Sequence, residues 1–237
     1  MDPYRFYVAA FAPPTVGLPE DQSHHAQRVL RLETGAQVLI FDGHGKWALG
    51  TLRTEKRGVF VDLVGDLHQD PPPPLHLTLA TAAPKADRAE WLVEQASQLG
   101  AARVAWLDTD RAVVKPKDSG GKMDKFRRLA LESAKQCGRT HLLTIAPMRT
   151  LDETLAAART AGDTLLWLEP RAGKTIRELA LPATGRVTAL IGPEGGWSDR
   201  EISLLESQPD LLRVRLTPEI LRIETACTTI AALLLAQ

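Results

Sequence analysis

The sequence ALIGPEGGWSDRE, which occupies residues 189–201, determines the fold class of this chain more strongly than any other stretch. It contains the apolar end of a predicted buried strand and a Gly-Pro-Glu-Gly-Gly loop. A helix is predicted to start at about Asp199, because Ser198 and Glu201 have capping-box spacing. An open α/β sheet binds its ligands in such loops, beyond the carboxyl ends of its strands. The loop is neither a dinucleotide fingerprint nor a P-loop, and taken alone it is also compatible with a plain tight turn.

A second stretch, RLTPEILRIETA at residues 215–226, connects another predicted strand to the last predicted helix, Thr225–Leu235. That helix is apolar nearly all round, so we expect it to be buried. The loop before it contains apolar residues, among them Ile220 and Leu221, which is unusual for a loop. We interpret them as a wall against a flat apolar ligand.

Two charged residues, Arg222 and Glu224, stand directly before this apolar helix. Charged side chains are seldom fully buried without partners, so both positions are candidates for function. A loop salt bridge that stabilises the start of the helix is the alternative interpretation.

Four consecutive prolines, Pro71–Pro74, separate two differently patterned parts of the chain, because they can join neither a helix nor a central strand. Residues 1–70 carry short extended segments divided by turn residues, which predicts a small β-barrel domain. Residues 75–237 alternate strands and helices, which predicts an α/β domain with a parallel sheet and helices on both faces. The predicted strands are Arg5–Ala9, Gln37–Phe41, Trp47–Leu52, Val59–Val64, Leu75–Thr81, Val104–Leu107, Thr164–Leu168, Val187–Ile191 and Leu211–Leu216; further helices are predicted at His24–Arg31, Asp87–Leu99 and Met123–Gln136.

Charge is unevenly distributed along the chain. The 29 Lys and Arg balance the 29 Asp and Glu, but residues 111–149 hold ten Lys and Arg against three Asp and Glu, a net +7. That segment suits RNA binding, and an ordinary solvated helix face is an equally good interpretation. The two cysteines are far apart, so neither a zinc site nor a disulfide is predicted. No apolar run has the length of a membrane helix and no signal peptide pattern is present, which predicts a cytoplasmic protein.

The two C-terminal stretches together resemble the paired signature of the 16S rRNA (uracil-N3)-methyltransferases, a family of the SPOUT superfamily. The motifs that carry the resemblance are Gly192–Gly196 and, about twenty residues later, Leu216-x-x-x-Ile-Leu-Arg-x-Glu-Thr-Ala226. Further matches occur in the right order along the whole chain: Arg5–Tyr7, His25–Arg31, Phe41–Gly43, Lys85, Glu94–Gly100, Arg111 and Gln136–Arg139.

The resemblance implies a fold, a cofactor and partners. The α/β domain would be a SPOUT trefoil knot that binds S-adenosylmethionine without a metal, and the N-terminal domain would be a PUA-like RNA-binding barrel. The protein would be a homodimer that methylates N3 of a uridine in 16S rRNA of the small ribosomal subunit. The implied cofactor-binding residues are Leu168, Ile191, Gly192, Pro193, Glu194, Gly195, Gly196, Leu216, Ile220, Leu221 and Thr225.

Uracil N3 lies on the Watson–Crick edge, so the target base must be unpaired or flipped. A cation beside the developing uracil anion would favour loss of the N3 proton. We predict that Arg222 is this cation and that Glu224 orients it. The residues predicted to contact RNA are Arg5, Arg28, Arg31, Lys85, Arg111 and Arg139.

Three alternatives remain open from the sequence. A SPOUT enzyme could act on a different base or on a ribose 2′-hydroxyl. A ribosome-assembly factor could bind RNA without chemistry. A nucleotide-binding oxidoreductase is disfavoured, because the dinucleotide fingerprint is missing.

Overall fold

The computed structural model describes residues 3–85, 87–114, 121–180 and 182–235. These residues form two compact units. The first comprises the chain up to Pro72 together with Ala134–Leu142, and the second comprises Pro73–Ser133 and the chain from Leu143 onward. The division falls within the run of four prolines.

The first unit is a small, mostly antiparallel β structure. Its elements are β1 (Tyr4–Tyr7), β2 (Thr15–Gly17), α1 (Glu20–His24), a π-helical turn (His25–Val29), β3 (Gln37–Phe41), β4 (Lys46–Glu55) and β5 (Gly58–Gln69). The strand order is β1-β3-β4-β5-β2, and only the β1–β3 pair among these runs parallel. Phe6, Ile40 and Leu52 are fully buried in its core.

The second unit is an α/β structure with a parallel sheet, as predicted. Its elements are β6 (Leu75–Thr81), α2 (Asp87–Leu99), β7 (Arg103–Asp108), α3 (Gly121–Cys137, whose last turn belongs to the first unit), β8 (Thr144–Thr150), α4 (Leu151–Thr160), β9 (Thr164–Leu168), a 3-10 turn (Ile176–Glu178), β10 (Gly185–Ile191), α5 (Asp199–Glu206), β11 (Leu211–Val214) and α6 (Ile223–Leu235). The strand order is β11-β9-β10-β6-β7-β8, and every neighbouring pair is parallel.

Helices cover both faces of this sheet, because its central strands are apolar on both sides. On one face Leu77, Leu79 and Trp106 pack in a cluster with side chains of α2, α3 and α6. On the other face Leu107 and Leu190 pack in a cluster with side chains of α4 and α5. The fold class predicted from the sequence is confirmed.

The C-terminal segment crosses back over the sheet after β11. β11 is an edge strand, and directly after it the backbone of Arg215 bonds with the β9–β10 connection, where Ile176 N donates to Arg215 O at 3.0 Å and Arg215 N donates to Lys174 O at 3.0 Å. α6 then packs against β6 and β10 at the centre of the sheet. The chain therefore passes the β9–β10 connection on its way to the centre, which is the path that a trefoil knot requires.

Several predicted elements differ from those observed. The helix predicted at His24–Arg31 is instead α1 followed by a π-helical turn that ends at Val29, and Arg31 has a positive φ of 53°, which ends the helical path. The predicted strand Leu211–Leu216 stops at Val214, and the last helix begins two residues earlier than predicted, at Ile223.

Four elements were missed from the sequence, namely β2, β8, α4 and the 3-10 turn Ile176–Glu178. β8 contains Pro147, and proline is tolerated in a strand mainly at the edge of a sheet, where β8 lies. α4 had a readable signal: Thr150 and Glu153 form a capping box at its start. No helix in the described ranges is long and apolar enough to cross a membrane.

Candidate active site

A cavity of about 580 Å³ lies at the carboxyl ends of β9, β10 and β11 in the second unit. Three loops that follow these strands form its walls, as expected for the ligand edge of an open α/β sheet. Every predicted cofactor-binding residue lines the cavity except Thr225, which is exposed on α6. The lining predicted residues are Leu168, Ile191, Gly192, Pro193, Glu194, Gly195, Gly196, Leu216, Ile220 and Leu221.

The glycine loop is a tight turn, and two of its positions require glycine for different physical reasons. Gly196 N donates to Pro193 O at 2.8 Å, and Gly196 has a φ of 72°, a conformation that side chains disfavour. Gly192 has an ordinary φ, but a Cβ there would lie 2.8 Å from the ring of buried Trp197. The loop therefore needs one glycine for its backbone angle and another for close packing.

The loop is also fastened from outside by the segment after β7. Arg111 Nη1 donates to the carbonyl oxygens of Gly195 at 3.2 Å and Trp197 at 3.1 Å. Asp110 N donates at 3.0 Å to Glu201, a fully buried carboxylate that also completes the capping box with Ser198. Arg111 was predicted to contact RNA, and the structure shows that at least part of its guanidinium holds the glycine loop.

The opposite wall of the cavity is the loop before α6. Ile220 has 76% of its surface exposed and Leu221 is half-buried, and both line the cavity. Arg222 also lines it, with an exposed side chain, and its carbonyl oxygen accepts the hydrogen bond of Ala226 N that begins the helix. Among the described residues Arg222 forms no ion pair, so its charge is available to a ligand.

Glu224 does not orient Arg222, so this prediction from the sequence was wrong. Its Oε1 lies 3.7 Å from Nη1 of Arg88 on α2, and its side chain is only 9% exposed. Nη2 of the same Arg88 lies 3.7 Å from Oε1 of Glu194 in the glycine loop. The helix geometry explains the error, because α6 already begins at Ile223 and turns Glu224 towards α2. Arg88 thus connects the two cavity-forming stretches, which nothing in the local sequence indicated.

The two cysteines differ in exposure. Cys137 is exposed, whereas Cys227 is fully buried on α6, and burial raises the pKa of its thiol to about 12. A thiol with that pKa is neutral at physiological pH and therefore a poor nucleophile. Among the residues that the structure describes, there is no group of three or more His, Cys, Asp and Glu side chains that could hold a metal ion.

The predicted RNA-contacting residues are distributed over both units and differ in accessibility. Arg28, Arg31 and Lys85 are exposed. Arg139 is half-buried, and burial lowers its pKa. The guanidinium of Arg5, also half-buried, lies against Gly138, with Nη2 3.3 Å from the position of a Cβ on that glycine. Exposed Arg28, Arg31 and Lys85 are consequently the better placed of these residues for phosphate contacts.

The sequence did not indicate several cavity residues. Arg171 and Arg215 line it, each a short distance past the end of a strand, and so do Trp197 and Ile202. Trp197 lies inside the stretch that determines the fold, and its proximity to the glycines was a usable signal. For Arg171 and Arg215, the only signal in the sequence was their position shortly after the end of a predicted strand.

A half-open cavity at three strand-end loops of a parallel sheet, with a C-terminal chain that crosses back over the sheet, is the architecture of an α/β domain of the SPOUT methyltransferase class. The family model described as RNA methyltransferase domain matches residues 71–235, and the model described as RNA methyltransferase PUA domain matches residues 18–64.

Curated relatives and solved structures agree with this class. The Synechocystis protein named ribosomal RNA small subunit methyltransferase E is 33% identical over 238 residues, covering 97% of this chain and 76% of that protein. The Mycobacterium bovis protein of the same name is 29% identical over 214 residues, covering 87% and 80%. A Legionella pneumophila methyltransferase, solved in complex with SAM, is 31% identical with a TM-score of 0.88, covering 100% of this chain and 98% of that one. The chain belongs to the RNA methyltransferase family, and within it to the group of ribosomal RNA small subunit methyltransferase E.

Proposed function

We propose that this protein transfers a methyl group from S-adenosylmethionine to N3 of a specific uridine in 16S rRNA of the small ribosomal subunit. The observation that carries the proposal is the cavity formed by the glycine loop and the loop before α6, whose lining includes Arg222, an arginine without an ion pair among the described residues. Membership of the ribosomal RNA small subunit methyltransferase E group supports the same activity.

The residues present fit a bent nucleoside cofactor. The cavity volume of about 580 Å³ lies within the range of small-molecule sites. Backbone groups of Ile191–Gly196 and of Leu216–Leu221 would face the edges of the adenine and the ribose, and Ile220 and Leu221 would cover the apolar face of the base. The Legionella relative was crystallised with SAM, which supports this choice of ligand. When bound, the cofactor supplies an electrophilic methyl group.

Arg222 would act on the uracil rather than on the cofactor. Uracil N3 carries a proton that must leave before or during methylation, and the resulting negative charge is shared with the neighbouring carbonyl oxygens. A guanidinium donates two parallel hydrogen bonds to such oxygens and favours the anion, which lowers the pKa of N3. The N3 proton would then pass to solvent or to a carboxylate of the lining, which includes Glu169, Glu194 and Glu219.

We also propose a homodimer. α2 and α6 pack against each other, and each carries an exposed large apolar side chain, Trp91 at 44% and Leu233 at 39%. Ile220 at the cavity is even more exposed. A second subunit that covers these side chains would also narrow the cavity, as the family resemblance implies.

RNA binding is expected to depend strongly on salt. The basic segment at residues 111–149 and the exposed Arg28, Arg31 and Lys85 would neutralise phosphates and release counterions. The affinity for 16S rRNA should therefore fall steeply as the salt concentration rises.

Two other functions remain in competition. A SPOUT enzyme of the same architecture could methylate a different base or a ribose 2′-hydroxyl. An RNA-binding assembly factor could use the cavity for a bound nucleoside without turnover. Unpaired Arg222 at the cavity favours chemistry at an acidic N–H over both.

Three measurements test the proposal. Calorimetry should detect binding of S-adenosylmethionine and of its demethylated product to the purified protein. Labelled methyl should transfer to small subunits that lack the modification, and nucleoside digestion with mass spectrometry should identify 3-methyluridine. Detection of a 2′-O-methylated nucleoside or of another methylated base would contradict methylation at uracil N3 and would identify the group that is methylated instead. Binding of RNA without any transfer would support the assembly factor instead.

A further inference from the structure

The sheet face covered by α4 and α5 is apolar at one end of the strands and polar at the other. Near the carboxyl ends it presents buried Ala80, Leu107 and Leu190. Towards the amino ends it becomes polar. One row of neighbouring residues across four strands is Thr188, Thr78, Arg103 and Thr144, and the row below it contains Arg186 beside His76.

A second cavity, of about 260 Å³, lies over this polar half of the face. α4 contributes Ala157 and Ala158 to its wall, and Ala161 follows directly after the helix. Because alanine side chains are short, they leave space above the polar strand residues. Most of its strand residues lie away from the carboxyl ends that form the proposed cofactor site, although Arg149 is near the carboxyl end of β8. Among the described residues, none lines both cavities.

The charges that line this cavity are not balanced. Three arginines, Arg103, Arg149 and Arg186, face one carboxylate, Asp163. Arg186 Nε donates to Asp163 at 2.7 Å, and the side chain of Asp163 is only 3% exposed, so this pair is satisfied. Thr188 Oγ1 also donates to Asp163 at 2.6 Å.

The two remaining arginines differ in their surroundings. Arg149 has Glu153 nearby, whose pKa is lowered mainly by hydrogen bonds from Thr150 and also by the charge of Arg149. The side chain of Arg103 forms no ion pair or hydrogen bond among the described residues, and its Nε is buried without an acceptor. Nδ1 of neighbouring His76 is likewise buried, with no hydrogen-bond partner outside its own residue among the described ones. Buried donors without partners cost free energy, and arginine forks have the geometry to hold phosphate.

We infer that this cavity is a binding site for a phosphate group, held by Arg103 and Arg149 with help from the hydroxyls of Thr78 and Thr144. A phosphate supplies the two things the cavity lacks, negative charge and acceptor oxygens. The group can come from free phosphate or from an RNA backbone, and both would be recognised by the same donors.

His76 provides a built-in reporter of occupancy. Burial lowers the pKa of His76, and the positive charges of Arg186 and Arg103 lower it further, while Asp163 acts in the opposite direction. An anion bound beside these groups would offset the two arginines. The pKa of His76 should therefore rise on binding.

The first test is a titration of the full chain with inorganic phosphate, followed by NMR of the histidine rings and the arginine Nε–H groups. Saturable shifts at Arg103 Nε and a raised pKa of His76 are expected at millimolar phosphate. Chloride at matched ionic strength should produce neither. Absence of saturable shifts, or equal shifts with chloride, would overturn the inference.

Arg103→Gln should weaken phosphate binding by about tenfold or more, since it removes a charge-assisted donor. Arg177→Gln is the matched control, because Arg177 is exposed in the same unit and does not line the cavity. Thermal unfolding of both variants checks that they fold. If Arg103→Gln unfolds, the His76 titration of the unchanged protein still decides the question.

A short RNA oligonucleotide distinguishes the two sources of phosphate. Displacement of inorganic phosphate by the RNA, with weaker RNA binding in Arg103→Gln, would assign the site to an RNA backbone. Phosphate binding that the RNA does not affect would assign it to a free phosphate ligand. Equal phosphate affinity in Arg103→Gln and the unchanged protein would contradict the site itself.

Discussion

The two cavities of the parallel sheet are lined by different kinds of groups. The one at the carboxyl ends of the strands is formed by three loops, two of which carry recognisable motifs, and their glycines and apolar residues stand beside charged side chains such as Arg222. The one at the amino ends is formed by single side chains, Arg103, Arg149 and Arg186 among them, from different strands. A site that binds through backbone needs particular glycines and prolines next to one another. A site that binds through side chains needs only that separate strands pair in one register.

The two cavities also differ in the contacts that fix their walls in place. The carboxyl-end loops are fixed by side chains that bond to them from elsewhere, as Arg111 does to Gly195 and Arg88 does to Glu194. The amino-end cavity is fixed by the sheet itself, because its arginines stand on paired strands. Substitutions should therefore affect the two cavities through different mechanisms.

The largest expected effect is that of Arg222→Ala at the carboxyl-end cavity. Methyl transfer should fall by about 100- to 1000-fold, the usual loss when a preorganised donor to a developing anion is removed. Binding of S-adenosylmethionine and RNA should change little, since the cavity walls remain. Radioactive methyl transfer and calorimetry measure the two quantities, with Arg177→Ala as the control. Normal turnover by the Arg222→Ala variant would show that Arg222 has no role in the reaction.

The next effect is that of Gly192→Ala in the glycine loop. The added Cβ would meet the Trp197 ring at 2.8 Å, so the loop must shift. Overpacking of this kind costs about 1–3 kcal/mol and should also weaken cofactor binding. Gly173→Ala is the control, because a Cβ at Gly173 has no atom within 4 Å. Denaturant unfolding measures the stability of the two variants, and calorimetry measures their affinity for the cofactor. Equal stability and equal affinity would mean that Trp197 does not constrain the loop.

A smaller effect is expected from Arg88→Gln. This change leaves Glu224, which is buried, without its ion-pair partner, but the 3.7 Å separations and the partial exposure of Arg88 limit the loss to about 1 kcal/mol. The double variant Arg88→Gln, Glu224→Gln should recover part of that loss, because the uncompensated carboxylate is removed. Chemical unfolding of the single and double variants gives the coupling free energy. Strict additivity would show that the pair does not interact.

The smallest effect concerns pH and the amino-end cavity. The pKa of His76 is lowered in the folded state, mainly by burial, so the unfolded chain binds the proton more readily. The stability that depends on neutral His76 is complete above its ordinary pKa of 6.5 and is lost as the pH falls below that value. Melting temperatures at pH 7.5 and 5.5 should differ less in His76→Gln than in the unchanged protein, measured without phosphate. His24→Gln, at an exposed position, should leave the difference as it was.

Much of the fold followed from local signals. The Ser198 capping box placed the start of α5 at Asp199, and the apolar run of β6 was predicted with its observed bounds. β8 was missed because Pro147 interrupts its pattern, and its place became evident only as the edge partner of β7. The helical turn before Arg31 was extended too far, because a positive φ at a non-glycine residue has no sequence signature.

The sequence by itself determined the two motifs that form the carboxyl-end cavity, because glycine turns, capping and apolar runs act between residues a few positions apart. Only the tertiary structure decided that Glu224 pairs with Arg88, that Arg111 holds the glycine loop, and that three arginines of different strands line the second cavity. These contacts join residues far apart in the chain. Which residues meet in these contacts depends on strand register and on how helices pack across the sheet, and no local sequence pattern specifies either.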